Sequence, residues 1–325
     1  MHPPGLTTLL LGFLATAATP ALAALTPCQK SLTQQLTNEF ENSRRFFSFD
    51  YCEDIGDGRG YTAGMVGFTT ATHDAFAVVS AYKLSPNYTL EFDSTYDTLL
   101  ALNQTGSSST SGLADFCPAW RTAAATNPSF RALQVKLADE MYFNPAEALS
   151  DTLGLTLPLA RAQLYDAAVQ MGIGNDTDSV PAMAARIPSV AQAGSEDTWL
   201  SNFLTERART LCNPAETAFR KSWCPTLYRT NSYTHLLTTS QSNFTETFTP
   251  LDNDGHGITL NCDLAIWDTF VPLPVTAPGG GGLSTAAKIG IAVAVIVVVL
   301  GPVAVFLVYT KRRFGAWGRW PAWKK

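Results

Sequence analysis

Apolar residues recur at three- and four-residue spacing along several stretches of the chain, a pattern typical of helices with one buried face. In the first stretch Leu32, Leu36 and Phe40 form the apolar stripe. Glu41 follows in the last turn of this helix, one step round from the stripe. The spacing predicts helices at residues 31–43, 74–82, 130–141, 158–171 and 196–211.

Between the first two predicted helices the apolar period changes to two, as expected for strands. Aromatic residues alternate with other residues at positions 47–51, and a second apolar run covers residues 65–68. Three glycines surround Asp57 and Arg59, so the backbone can turn sharply there while the charged side chains point outwards. The pattern predicts a β-hairpin whose turn presents a carboxylate.

The chain after Asn213 is polar, rich in Ser and Thr and without a clear period, so we expect irregular structure as far as Gly257. The segment at residues 252–255 resembles part of a calcium loop but lacks the first acid and the closing Glu. We therefore predict a simple turn there and no metal site. The predicted fold class is α+β, mostly α, with a small β-hairpin.

Composition distinguishes a leader and a linker from the rest of the chain. Residues 1–23 are predicted to be a signal peptide, because an apolar run at residues 6–18 precedes an Ala-Leu-Ala cleavage pattern. Residues 272–288 contain several prolines and four consecutive glycines, and such a composition forms a flexible linker. The segment between them, residues 24–271, is the expected folded extracellular domain.

A second apolar run, residues 289–309, is 21 residues long without a charge and is long enough to cross a bilayer. Three basic residues follow at once, which orients the C-terminus towards the cytoplasm. A glycolipid-anchor signal would end in its apolar tail, whereas this chain continues for 16 residues. We expect a single-pass type I membrane protein at the plasma membrane or the cell-wall side, whose basic, Trp-rich tail (310–325) contacts membrane lipid.

Charge is divided unevenly along the chain. All 27 acidic residues precede the linker and seven of the 22 basic residues follow its start, so the predicted extracellular domain carries a net charge of −12. An acidic surface favours solubility and attracts polycations. It has the wrong sign for nucleic acid, which we exclude as a partner.

Six cysteines lie within the predicted extracellular domain, and an even number beyond a signal peptide predicts up to three disulfides with 15 possible connectivities. Cys212 and Cys224 are close enough in sequence to close a short loop, and a bridge from Cys52 would brace the hairpin. No C-x-x-C pair occurs, which disfavours a zinc or redox site. Predicted N-glycosylation sites are Asn87, Asn103, Asn175 and Asn243.

Two carboxylates have environments that separate their pKa values. Glu41 faces the negative end of its helix dipole and lies among phenylalanines, and both effects raise its pKa. Asp57 lies in a polar, Gly-rich turn and should stay ionised. Such a pair is typical of a general acid and a general base, although a solvated helix-end Glu and a turn Asp would also explain the residue types.

The stretch from Glu41 to Asp74 carries a specific resemblance. It reads Glu-Asn-Ser, then Tyr-x-Glu-Asp-Ile-Gly-Asp-Gly-Arg-Gly-Tyr-Thr, then Gly-x-x-Gly-Phe and an Asp. This pattern resembles the signature of the family 46 chitosanases, and weaker similarity extends over residues 31–211. The resemblance implies a two-lobed, lysozyme-like, inverting glycoside hydrolase. Its substrate would be chitosan or partially deacetylated chitin, cut internally at β-1,4 linkages by a monomer that needs no cofactor.

The resemblance also implies roles for single residues. Glu41 matches the general acid of the family, Asp57 the general base, and Thr62 the residue that helps position the attacking water. The implied substrate-binding residues are Glu53, Asp54, Arg59 and Asp74.

For Asp74, capping of the following helix is an alternative role. Asp166 and Arg207 match a buried acid–base network behind the catalytic Glu, and a structural salt bridge is the alternative. His73 and Asn144 depart from the family pattern and could alter the substrate subsites.

Two further functions remain open at this point. A membrane-bound protein that binds or senses cell-wall glycan with little catalysis would use the same cleft, although it has no need of an acid/base pair. A muramidase-like hydrolase is disfavoured because peptidoglycan is anionic and the domain is acidic.

Overall fold

α-Helices dominate the part of the chain that the computed structural model describes, residues 24–56 and 58–274. Between α5 and α6 the helical path continues through a π-helical segment, Asp139–Phe143. Short 3₁₀ turns cover Thr217–Phe219 and Cys224–Thr226. The helices are α1 (Pro27–Asn42), α2 (Asp74–Lys83), α3 (Tyr96–Thr105), α4 (Phe116–Thr126), α5 (Pro128–Ala138), α6 (Asn144–Leu153), α7 (Pro158–Met171), α8 (Val180–Ala185), α9 (Val190–Ala193), α10 (Glu196–Cys212), α11 (Arg220–Trp223) and α12 (Tyr228–Thr238).

The five helices expected from apolar spacing are confirmed as α1, α2, α5 with its π segment, α7 and α10. Helix α1 begins earlier than expected, because Thr26 and Gln29 form a capping box and Pro27 occupies the first helical position. Helices α3, α4, α6, α8, α9 and α11 were not predicted.

The expectation of irregular structure after residue 213 is wrong for α12. This helix buries polar side chains on its inner face, among them Arg229, Thr230 and Ser232, beside Tyr233 and Leu236. Because polar residues occupy the buried positions, the sequence lacks the apolar period that announces a helix. Packing against α10 and α7 stabilises it instead.

The predicted β-hairpin is confirmed, with a third strand added to it. Strands β1 (Cys52–Asp54), β2 (Tyr61–Ala63) and β3 (Phe68–Thr69) form an antiparallel sheet in that order. A second, two-stranded sheet pairs β4 (Thr247–Phe248) with β5 (Leu260–Asn261).

The first strand starts later than the alternation at positions 47–51 suggests. Phe47 and Phe49 are both buried, and the Phe49 carbonyl accepts hydrogen bonds from Trp120 Nε1 at 2.9 Å and from Gln134 Nε2 at 3.1 Å. Side chains of α4 and α5 therefore satisfy this backbone in place of a neighbouring strand.

Buried apolar side chains form two clusters, which define two lobes. The first lobe joins α1, α6, α7, α10 and α12, and the second joins the three-stranded sheet with α2, α4 and α5. Phe40 lies in the first cluster and Phe47 in the second, so Glu41 lies where the chain passes between the lobes. The two-lobed architecture places the candidate acid at the lobe boundary.

Three disulfides join the six cysteines, in the pairs Cys28–Cys262, Cys52–Cys117 and Cys212–Cys224. The second bridge fixes the first residue of β1 to α4, as expected for a brace of the hairpin. The third joins the last residue of α10 to the 3₁₀ turn after α11 and so closes a short loop, also as expected.

Several expectations concern residues outside the described ranges. The predicted signal peptide, the membrane span at residues 289–309, the tail and most of the linker lie there, and so does Asp57. Within residues 24–56 and 58–274, no helix combines the length and the apolar character that a bilayer crossing requires.

Candidate active site

Glu41 lies in the last turn of α1, and only 4% of its surface is exposed. The helix ends directly after it, because Ser43 adopts the left-handed conformation with φ of 52°. The placement agrees with the sequence prediction of a carboxylate at the end of the first helix.

A chain of buried charges extends from Glu41 into the first lobe. Arg229 Nη2 donates to Glu41 Oε1 at 2.5 Å, and Arg229 Nη1 donates to Asp166 Oδ1 at 3.1 Å. Arg207 Nη1 lies 2.8 Å from Asp166 Oδ2. Asp166, Arg207 and Arg229 are completely buried, so each charge depends on its neighbours to replace water. We call these four residues the buried charge network.

Burial raises the pKa of Glu41 to about 6, although the neighbouring Arg229 guanidinium acts in the opposite direction. Asp166 adds to the increase in the Glu41 pKa because like charges oppose ionisation. The second oxygen, Oε2, accepts no hydrogen bond from any residue in the described ranges. A carboxyl that is half protonated near pH 6 and has one unbonded oxygen can donate a proton.

The hairpin places Thr62 in the middle of β2, opposite Glu53 on β1 and Thr69 on β3. Thr62 is completely buried, and its hydroxyl makes no hydrogen bond with the residues that the structure describes. Such an orphaned hydroxyl has capacity for a water or a substrate atom.

The turn between β1 and β2 includes Asp57, whose own position lies outside the described residues. On either side of it, Gly56 and Gly58 have φ of 72° and 82°. These left-handed conformations explain why glycines flank the predicted base. The Gly56 N–H donates to Asp54 Oδ1 at 3.0 Å, which fixes the start of the turn.

Asp74 is buried at the first position of α2. Its Oδ1 accepts hydrogen bonds from the Thr69 N–H at 2.8 Å, the Thr72 hydroxyl at 2.7 Å and the Ala75 N–H at 2.9 Å. Burial raises the pKa of Asp74, and these hydrogen bonds reduce the increase. The alternative role of Asp74 as the cap of α2 is wrong, because His73 occupies the capping position and Asp74 is the first residue inside the helix.

Tyr142, from the π segment, connects several of the predicted residues. It is buried, and its pKa is raised by burial and by the charges of Asp74 and Glu41, with Arg59 acting in the opposite direction. These four residues therefore come from distant parts of the sequence and lie within electrostatic reach of one another. Sequence reasoning did not single out Tyr142.

The remaining predicted substrate residues differ in exposure. Glu53 and Asp54 are exposed on β1, whereas Arg59 is buried. Two exposed carboxylates on one strand are available to cationic ligands. His73 and Asn144, which depart from the family pattern, are both exposed.

Arg229 is the main residue that sequence reasoning missed. It completes the connection between Glu41 and the predicted pair Asp166–Arg207. Its helix was expected to be irregular, and its partners lie 188 and 63 residues away in sequence. An arginine inside a Ser/Thr-rich segment gives no local signal of burial.

The predicted glycosylation sites are accessible to different degrees. Asn87, Asn175 and Asn243 are exposed, and Asn103 is half-buried at the end of α3, where its Oδ1 lies 2.7 Å from His73 Nδ1. Among the described residues, no group of three or more His, Cys, Asp or Glu side chains is arranged to hold a metal ion.

Known proteins are similar to this chain in sequence and architecture. Residues 35–238 match the model of glycosyl hydrolase family 46. A chitosanase of Bacillus subtilis strain 168 is 41% identical over 207 residues, which cover 62% of this chain and 74% of the relative. A chitosanase of a Streptomyces species is 36% identical over 228 residues, with coverage of 66% and 79%.

Solved structures agree with this. The native chitosanase of Bacillus subtilis MY002 has a TM-score of 0.63 at 35% identity, covering 73% of this chain and 100% of that one. The chitosanase of Gynuella sunshinyii, solved with chitotetraose, has a TM-score of 0.62 at 33% identity and covers 73% and 99%. With the family match spanning most of the chain and the buried acid at the lobe boundary, this protein belongs to glycosyl hydrolase family 46.

Proposed function

We propose that this protein is an endo-acting, inverting chitosanase that hydrolyses β-1,4 linkages of chitosan. The observation that carries the proposal is Glu41, a buried carboxyl with a pKa of about 6 and one oxygen without a hydrogen bond from the described residues. Its relatives support the substrate, since they are named chitosanases. A mutant of the Bacillus subtilis MY002 enzyme was solved in complex with 6 GlcN.

Glu41 is the proposed general acid. Its Oε1 is engaged by Arg229, so the proton would be carried on Oε2 and transferred to the glycosidic oxygen as the bond to the anomeric carbon breaks. The leaving sugar then departs as an alcohol, and Glu41 becomes a carboxylate. Arg229 stabilises that carboxylate, so the same contact that holds the side chain also favours the product of proton transfer.

Asp57 is the proposed general base. It would remove a proton from a water that attacks the anomeric carbon from the face opposite Glu41, which inverts the configuration. Enzymes of this kind leave roughly 6.5–9.5 Å between the two carboxyl groups to accommodate the water. Thr62 supports this step because its buried hydroxyl is unbonded among the described residues and could orient the water.

The exposed carboxylates of β1 would favour glucosamine over its N-acetyl form. Glu53 and Asp54 are exposed and anionic, and ammonium groups of the polymer can pair with them. An N-acetyl group would leave a carboxylate without its partner, which costs binding energy. The net charge of −12 before the linker would attract the polycation over a longer range.

We further propose that the enzyme acts outside the cell, anchored through residues 289–309 as a type I glycoprotein. The uncharged run and the basic residues after it support this orientation. The exposure of Asn87, Asn175 and Asn243 is compatible with glycosylation. Release of the protein from membranes by high-pH carbonate alone, without detergent, would contradict the anchor.

The test is hydrolysis of highly deacetylated chitosan by the purified protein. Glu41→Gln and Asp57→Asn should each lower the rate by about 10²-fold or more, because each removes one proton-transfer group. Glu39→Gln is the matched control, since it changes a half-buried acid on the same helix and should keep wild-type activity. Proton NMR of the first product should show the inverted anomer.

Wild-type activity in either acid/base variant would overturn the assignment. Binding of glucosamine oligomers without any turnover by the wild type would favour the glycan-binding or sensing protein instead.

A further inference from the structure

Residues 251–257 form a tight hairpin loop beyond the residues that match the family model, 35–238. Leu251 and Gly257 form an antiparallel bridge, and the Gly255 N–H donates to the Asp252 carbonyl at 3.1 Å. Asp252 Oδ1 accepts from the N–H groups of Asp254 and His256 at 2.9 and 2.8 Å. The turn predicted at residues 252–255 is confirmed, and its internal bonds fix the direction in which it presents Asn253.

Asn253 contacts the end of the helix that carries Glu41. Its Nδ2 donates to the Phe40 carbonyl at 3.2 Å and to Ser43 Oγ at 3.3 Å. The Phe40 carbonyl lies in the last turn of α1, where the helix itself supplies no donor. Because a carbonyl only accepts, the amide nitrogen and not the oxygen of Asn253 must face it.

A second donor reaches the same carbonyl. The Tyr228 hydroxyl donates to it at 3.3 Å, and the Tyr228 and Phe40 rings lie 5.8 Å apart. The backbone next to Glu41 is therefore held from two sides, by α12 and by the 251–257 loop.

The loop is also bonded to the helix that carries Arg229. The Leu251 N–H donates to Ser232 Oγ at 2.9 Å, and Ser232 lies about one turn after Arg229 on α12. One loop thus contacts both helices whose side chains form the Glu41–Arg229 ion pair.

We propose that Asn253 is a positioning residue for catalysis, which holds the end of α1 so that Glu41 keeps its place against Arg229. The proposal rests on the proposed function of Glu41 as the general acid. It gives the 251–257 loop, which lies outside the family match, a part in positioning the proposed general acid.

Charged groups lie on both sides of the contact between Asn253 and the end of α1. Asp252 faces Glu39 and adds to the increase in the Glu39 pKa that burial causes, and His256 Nδ1 lies 3.6 Å from Asp252 Oδ2. Loosening the contact would admit water to the end of α1 and weaken the desolvation that raises the Glu41 pKa. The titratable or charged groups that influence Glu41 or share its surroundings are Arg229, Asp166, Arg207, Tyr142, Tyr165 and Tyr228.

The experiment compares Asn253→Ala with Asp254→Ala, an exposed neighbour on the same loop, by steady-state kinetics on soluble glucosamine oligomers. Asn253→Ala should lower kcat by about three- to tenfold, because it removes the donor to the Phe40 carbonyl and to Ser43 Oγ, with KM nearly unchanged. The alkaline limb of its kcat/KM profile should move to lower pH. Asp254→Ala should match the wild type in both.

Asn253→Leu keeps the approximate size of the side chain, removes the donor and adds no charge, so it should reproduce the loss of kcat and the shift of the limb if Asn253→Ala does not fold. Tyr228→Phe in a double-variant cycle should show coupling with Asn253→Ala, because both donors share one carbonyl. A lower melting temperature with unchanged kcat and an unmoved limb would show a merely structural role and overturn the proposal. Activity retained in Glu41→Gln would overturn the proposed acid itself, which is a separate result.

Discussion

Glu41 experiences two opposing influences, and their balance decides whether it can work as an acid. Burial disfavours its charge and raises its pKa, whereas Arg229 favours the charge and limits the increase. With burial alone the proton would be held too tightly, and with Arg229 alone the group would be ionised at every working pH. The resulting Glu41 pKa of about 6 is close to neutral pH, where a general acid transfers its proton most efficiently.

Asp166→Asn tests this balance without touching Glu41. Asp166 raises the Glu41 pKa through its charge, and it also pairs with Arg229. Removing that charge should leave Arg229 to pair more strongly with Glu41, so the Glu41 pKa should fall. The alkaline limb of kcat/KM should then move to lower pH, measured by a pH–rate profile on glucosamine oligomers.

The same variant should lower the melting temperature, because it leaves two buried guanidiniums with less compensating charge. Asp151→Asn is the control, since it also removes a carboxylate paired with an arginine, but that arginine is Arg161 and Asp151 does not contribute to the Glu41 pKa. A limb that stays in place in Asp166→Asn would contradict the role given to Asp166.

Single residues differ in how well the sequence predicts them. Glu41 and Thr62 lie within one local signature, and the structure places both in buried positions with unbonded oxygens among the described residues. Arg229 lies outside that signature and acquires its role only through contacts made across 188 residues. Local patterns contain no information about such a contact.

The helix that carries Glu41 and the sheet that carries Thr62 differ in stability. Helix α1 has a capping box at its start and apolar packing along its length, so the sequence predicts the helix itself, although the capping box starts it earlier than the apolar spacing indicates. The sheet that carries Thr62 has strands of only two or three residues, and its hydrogen bonds alone give it little stability. The Cys52–Cys117 disulfide and the packing of α4 and α5 must supply the rest.

The double variant Cys52→Ser/Cys117→Ser tests the brace on the sheet. This bridge spans 65 residues, and its loss should reduce the free energy of unfolding by about 4 kcal/mol through added freedom of the unfolded chain. Calorimetry or denaturant unfolding of the purified protein measures the change. Activity at low temperature should also fall, because the hairpin that carries Thr62 would lose its attachment to α4.

Cys212→Ser/Cys224→Ser provides the comparison. That bridge spans only 12 residues, so its loss should cost less, about 3 kcal/mol, and should leave activity at low temperature unchanged. Equal activity in the two double variants would contradict the bracing of the hairpin.

At the scale of the whole molecule, the sequence predicts the class of fold better than the contacts between segments that are distant in sequence. The helical periods and the hairpin turn correctly indicate a mostly helical α+β protein with a small sheet. The C-terminal segment passes from the first lobe, where Leu260 packs, to the second lobe, where Ile266 packs. No local sequence pattern predicts this passage between the lobes. The polar face of α12 is hidden for the same reason, since its partners are brought to it only by the complete fold.

The segment after the family match adds contacts to the helix that carries Glu41. It ties the start of α1 to residue 262 through a disulfide, donates from Asn253 to the end of α1, and packs Ile266 against the second lobe. The C-terminal segment therefore contacts both ends of α1, the helix that carries Glu41. The proposed membrane anchor begins shortly after it in sequence.

Whether Glu41 is the general acid is tested most directly by titrating its carboxyl with carbon-13 NMR. The titration is compared with the pH dependence of kcat/KM for the same protein. The signal is assigned by its absence in Glu41→Gln. We expect a Glu41 pKa near 6 and an alkaline limb at the same pH, since the free enzyme must carry the proton to act. A pKa near the ordinary 4.5, or an alkaline limb that persists in Glu41→Gln, would contradict the assignment of Glu41 as the general acid.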